Sequence, residues 1–148
     1  MSGPRKAIIV GAGHRALTYA SYAQHHPEQL QIVGVADPTP LRREQTAARF
    51  GLEPGQCHAS AEALAELPQQ ADFIINGTMD HQHVQTALPL LRRGYDMLLE
   101  KPFATSEDDL WALVGTVRQH QSKVAICHVL RHAPFYAAIR QLVAEGAI

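Results

Sequence analysis

Two short stretches of this chain carry residue types at spacings that could do chemistry. The first is Gly11-Ala12-Gly13-His14-Arg15-Ala16, which comes directly after the apolar run Ala7-Ile8-Ile9-Val10. A strand feeding such a turn and then a helix can cradle a pyrophosphate: Gly11 permits the tight turn, Gly13 lets backbone approach the anion, and Ala16 lets helix pack on strand. The helix N-terminus adds free N–H groups. A glycine turn can also be purely structural, so the residues downstream of it decide. The second stretch is Glu100-Lys101-Pro102, a carboxylate, an ammonium and a rigid turn in sequence. A lysine is a compact donor suited to polarising a hydroxyl or carbonyl oxygen while hydride moves at the adjacent carbon. The plainer reading is a surface Glu–Lys pair beside an ordinary turn.

Other candidates lie between these two. Asp37 closes the apolar run Gln31 to Ala36. A carboxylate there suits the ribose hydroxyls of an adenosine and repels a 2′-phosphate, although an Asx turn before Pro38 is a common use of Asp. Arg42 and Arg43 could neutralise a 2′-phosphate by turning back, or simply face solvent on a helix. NAD is the expected cofactor, with NADP open. In Gly77-Thr78-Met79-Asp80-His81-Gln82-His83, His81 and His83 have H-x-H spacing, but no third ligand is near, and no metal site is expected. Cys57 and Cys127 belong to no C-x-x-C pair and are expected as buried or half-buried thiols.

The elements that must position these residues are set by hydrophobic pattern and punctuation. Strands are expected at about 6–10, 31–36, 56–58, 72–76, 95–99 and 123–129. Helices are expected at 14–26 (stopped by Pro27), 40–50 (closed by Gly51), 60–67 (capped by Ser60), 82–93, 105–120 and 134–145. Pro89 should kink the fourth of these helices or mark a shortened first turn. Thr105 or Ser106 caps the fifth, with Glu107, Asp108 and Asp109 suiting the positive end of its dipole. Strict alternation of strand and helix predicts an α/β, doubly wound parallel sheet of about six strands in three αβα layers, the Rossmann arrangement. Ligands in such folds bind at the carboxyl ends of the strands, where Gly11, Asp37, Thr78 and Glu100 all fall.

Composition narrows the classes. The length of 148 residues suits one domain, 1–148, and a formal net charge of −1 gives no pull toward nucleic acid or an anionic membrane. No run approaches the ~18 apolar residues of a membrane span, so no membrane partner and a cytoplasmic location are expected.

On these residues, the chain resembles the Gfo/Idh/MocA family of nicotinamide-dependent oxidoreductases over essentially its whole length. The glycine turn, Asp37, the Thr78–His83 segment and Glu100-Lys101-Pro102 occur in the family's order, the last as its signature. Met79-Asp80 stands where the family frequently has Pro-Asn. The resemblance implies that Gly11, Gly13, His14, Arg15 and Ala16 form the pyrophosphate turn and that Asp37 meets the adenosine ribose. It implies further that Thr78 and His83 line the cofactor and that Glu100 and Lys101 face nicotinamide and substrate, Lys101 as the catalytic residue. His128, Arg131 and His132 resemble a segment bordering the substrate mouth.

In that family a second α/β domain comes next, with the usual catalytic His and a large sheet for substrate binding and homo-oligomer contacts. The chain therefore reads as the cofactor half of an enzyme moving hydride between a secondary alcohol and a carbonyl, on a sugar or cyclitol, with the catalytic half missing. Two other readings are a nucleotide-sensing Rossmann module without chemistry and a methyltransferase using S-adenosylmethionine. Neither has a use for Glu100-Lys101-Pro102.

Overall fold

The computed structural model describes residues 3–148. Six strands form one parallel sheet in the order β3-β2-β1-β4-β5-β6. They are β1 (Arg5–Val10), β2 (Leu30–Ala36), β3 (Cys57–His58), β4 (Phe73–Asn76), β5 (Asp96–Leu99) and β6 (Val124–Ile126). β1 is central, with Ile8 opposite Ile74 of β4 and Val35 of β2 opposite Ile9.

Side chains alternate across β1, so one apolar run supplies two cores. Ile8 and Val10 join Leu64, Ile74, Leu90, Leu91, Tyr95 and Leu99 on one face. That face is covered by α4 (Ala61–Ala65), α5 (His83–Arg92) and α6 (Glu107–His120). Ala7 and Ile9 join Ala16, Ala20, Ile32 and Val35 on the other, under α1 (His14–Ala20), α2 (Tyr22–His25) and α3 (Pro40–Phe50). The last helix, α7 (Pro134–Ala144), buries none of its residues.

The expected elements recur with local differences. The expected helix 14–26 is two segments meeting at Ser21, whose hydroxyl donates to the Thr18 carbonyl at 2.7 Å. Such back-bonding competes with the helical ladder. β6 is shorter than 123–129 because its only strand partner, β5, ends at Leu99; Cys127 N–H takes the Leu99 carbonyl and the chain then turns. A 3₁₀ turn, Val129–His132, comes next. Pro89 lies well inside α5 rather than in its first turn, and the helix continues through it. Ser60 and Ser106 cap α4 and α6 through the N–H groups of Ala63 and Asp109. Among the described residues no helix is long and apolar enough to cross a membrane.

Candidate functional site

All the strands run in the same direction, so their carboxyl ends collect along one rim, and the candidate residues lie there. Gly11 has φ +76°, and a Cβ on it would lie 2.7 Å from Thr78 backbone atoms. Only glycine fits that turn without strain. Gly77 faces it across the rim, where a Cβ would lie 2.8 Å from Ala16 Cβ. The helix–strand approach that Ala16 permits is therefore closed by a second small residue. Gly13 differs: the nearest atom to its hypothetical Cβ is the Gly77 carbonyl at 3.9 Å, so the space above it is open. It is the N-cap of α1, where no side chain caps the helix. His14 and Arg15 are exposed on the first turn of α1.

Asp37 is only 2% exposed. Its Oδ2 accepts the N–H of Ala12 at 2.8 Å and its Oδ1 accepts that of Thr39 at 2.8 Å. The carboxylate thus locks the glycine turn from beneath. Both arginines turn back toward it: Arg42 Nη1 lies 3.8 Å from Oδ2, and Arg43 Nη1 donates to the Asp37 carbonyl at 2.6 Å. Beside them, a cleft of about 230 Å³ opens between Gly11, Ala36, Pro38, Ser60 and Thr78.

On the far side of β1 the groups interlock. Asn76 is buried at the end of β4; its Oδ1 accepts the Thr78 hydroxyl at 2.9 Å and its Nδ2 donates to Thr86 Oγ1 at 3.0 Å. Thr78 lines the cleft while its hydroxyl turns inward. His83, 1% exposed, has Nδ1 2.7 Å from the Pro102 carbonyl oxygen and Nε2 3.1 Å from that of Thr78. It therefore offers no ring nitrogen to the rim and instead bridges the loops after β4 and β5.

Glu100 is 5% exposed. Its Oε1 accepts the Tyr19 hydroxyl at 2.6 Å, its Oε2 accepts the Lys101 N–H at 2.6 Å, and Arg15 Nε lies 3.9 Å away. Burial, and then donation to the Glu100 carboxylate, push the Tyr19 phenol far above its ordinary range. Burial also raises the neighbouring Cys127 thiol. Lys101 itself is exposed, as are His81, His128, Arg131 and His132. Among the described residues no three His, Cys, Asp or Glu side chains gather as a metal site would require.

Sequence reasoning missed Tyr19, Asn76 and Thr86. The available signal for Tyr19 was its helical spacing. One turn after Arg15, it falls on the face of α1 that looks along the rim to β5.

Comparison with known proteins identifies the family and the fold. The family model described as "Oxidoreductase family, NAD-binding Rossmann fold", GFO_IDH_MocA, matches residues 5–128. UDP-N-acetylglucosamine 3-dehydrogenase of Acidithiobacillus ferrooxidans is 27% identical over 133 residues, covering 90% of this chain and 40% of that protein. The 1,5-anhydro-D-fructose reductase of Ensifer adhaerens is 31% identical over 118 residues, 80% of this chain and 34% of that protein. In fold, the WlbA dehydrogenase from Bordetella pertussis, solved with NADH and UDP-GlcNAcA, superposes with a TM-score of 0.87 at 17% identity, over 97% of this chain and 42% of that one. The chain thus spans between about a third and two fifths of the length of these proteins. It belongs to the Gfo/Idh/MocA oxidoreductase family, as its NAD-binding Rossmann domain.

Proposed function

We propose that this chain is the cofactor-binding half of an NAD(P)-dependent oxidoreductase that moves hydride between nicotinamide and a secondary alcohol or carbonyl of a sugar or cyclitol. The observation that carries the reading is the placement of an exposed lysine, Lys101, on a tied-down turn along the same rim as an open glycine cradle. The residues present fit the cofactor. Open space at Gly13 and the uncapped start of α1 take the pyrophosphate, aided by His14, Arg15 and the close packing at Gly11 and Ala16. The cleft beside Thr78 takes the adenosine. Asp37 meets its ribose with the lone pairs left over from Ala12 and Thr39.

When bound, the nicotinamide supplies or accepts the hydride. Lys101 donates to the substrate oxygen, favouring the charge that develops there as hydride moves at the adjacent carbon. Glu100 and His83 act from behind, on backbone rather than on substrate. A second α/β domain provides the opposing wall, the proton-handling histidine and contacts between copies of the enzyme. The two curated relatives have more than twice the length of this chain, and their names carry sugar substrates, which supports both parts of the reading.

Titration of the chain with NADH and NADPH, followed by nicotinamide fluorescence, tests the proposal. Binding of at least one, with negligible turnover of alcohols, is expected; binding of neither would overturn it. Where the domain is expressed together with the downstream part of its gene, Lys101→Ala should abolish turnover while leaving cofactor affinity within about tenfold. Retained turnover would remove Lys101 from the chemistry.

A further inference from the structure

Lys101 sits on an exposed turn, yet the N–H before it and the carbonyl of the residue after it are tied, through Glu100 and His83, to distant parts of the chain. Before it, the Lys101 N–H donates to Glu100 Oε2, and the other oxygen of that carboxylate holds the Tyr19 hydroxyl, each at 2.6 Å. After it, the Pro102 carbonyl oxygen lies 2.7 Å from His83 Nδ1. A carbonyl only accepts, so the shorter contact puts a proton on Nδ1. We propose that Tyr19 and His83 are positioning residues that brace Lys101 from its two sides, Tyr19 through Glu100 and His83 through Pro102.

The inference rests on Lys101 being the group that meets substrate and nicotinamide. A group with that task must hold its place to within about 0.5 Å, which an unsupported surface turn does not ensure. Two features make the brace more than satisfied buried polarity. Tyr19 lies one helical turn beyond Arg15, which itself stands 3.9 Å from Glu100 Oε1, so the helix that starts at the pyrophosphate cradle also holds the carboxylate behind Lys101. His83 is packed between the Thr78 and Pro102 carbonyls and donates to the latter, so the loop beside the cleft and the lysine turn meet at one buried ring. Arg15, Tyr19 and Glu100 join the cradle helix to the lysine turn by polar contacts.

A double-mutant cycle on the 148-residue chain separates bracing from mere structure. NADH affinity is measured for the parent, Tyr19→Phe, Lys101→Ala and the double variant. If Tyr19 acts through Lys101, Tyr19→Phe weakens NADH about fivefold, as the loss of one hydrogen bond implies. In the Lys101→Ala background it then weakens NADH by no more than about 1.5-fold. Equal losses in both backgrounds would overturn the brace.

The second readout is local. The chain has three lysines, Lys6, Lys101 and Lys123, so reductive ¹³C-methylation gives three lysine NMR signals to assign beside that of the terminal amine. The Lys101 signal should move in Tyr19→Phe and in His83→Leu and return toward the parent in His83→Asn, with Lys6 and Lys123 unmoved. An unchanged Lys101 signal in Tyr19→Phe would sink the proposal, and that variant decides alone if His83→Leu does not fold. If the parent binds neither NADH nor NADPH, the functional reading fails instead; if Lys101→Ala binds as tightly as the parent, the Lys101 signal decides in place of the cycle. The Lys101 signal still reports whether the brace exists.

Discussion

Gly11 and Gly13 stand two residues apart in one turn and answer substitution in opposite ways. Alanine at Gly11 would combine a φ of +76° with a 2.7 Å approach to Thr78 backbone. Gly11→Ala should therefore cost about 2–4 kcal/mol of stability, read as a lowered urea midpoint. Gly13 has φ −81° and ψ 176°, open to any residue, with nothing closer than 3.9 Å. Gly13→Ala should leave stability within about 1 kcal/mol while weakening NADH by about tenfold, because the methyl fills the anion's place.

A third residue gives a pH effect. His58 is buried at the end of β3, its Nε2 has no hydrogen-bond partner, and burial lowers its pKa below the ordinary 6.5. As pH falls below 6.5 the unfolded chain takes up a proton that the folded chain resists, so stability is lost on the acid side and is present above it. Urea midpoints from about pH 5 to 8 should show a shallower acid decline in His58→Leu than in the parent. Parallel profiles would exclude His58 as the source.

At the scale of elements, the cap of α6 is the simplest point to probe. Ser106 Oγ accepts the Asp109 N–H at 3.1 Å, and three carboxylates occupy the first turn. Ser106→Ala should cost about 1 kcal/mol, measured by thermal denaturation. This cap, like that of Ser60, was legible because a serine before an apolar-periodic run has a local meaning. The element order was legible for the same reason, since a buried parallel strand is a short apolar run between punctuating residues. The illegible part is set by neighbours remote in sequence. β6 stops where its partner β5 stops, and the helix break at Ser21 depends on a hydroxyl that could equally have faced solvent. Asp37 and Glu100 were readable as polar residues at strand ends and His83 as one at a helix start, but none of them as buried. Which way each side chain turns depends on Ala12, Pro102 and Tyr19, all of them distant in sequence from the residue they hold.

At the scale of the molecule, the layers are uneven. Helices α1 to α3 cover one face over β1, β2 and β3, whereas Phe73, Leu98 and Ala125 line a shallow groove on that same face farther along the sheet. α7 adds no cover, with Phe135 70% exposed and no residue buried. Deleting residues 134–148 should therefore leave the stability of the remainder, from urea unfolding, unchanged to within about 0.5 kcal/mol. A larger loss would mean that α7 docks in solution. The family match ends at residue 128, before α7.

The central place of β1 sets a gradient of opening across the sheet. Its amides are each bonded to β2 or to β4 in the middle of the sheet under both helical layers, whereas those of β6 lie at an edge. Deuterium should then enter last at Ile8 and Ile9 and first at α7 and the 3₁₀ turn before it. The glycine turn thus grows from the most slowly opening strand, and Lys101 from one nearer the fast edge. The part of the rim assigned to the pyrophosphate should thus breathe least, and exchange should quicken toward the β6 edge, on the side where Lys101 would meet substrate.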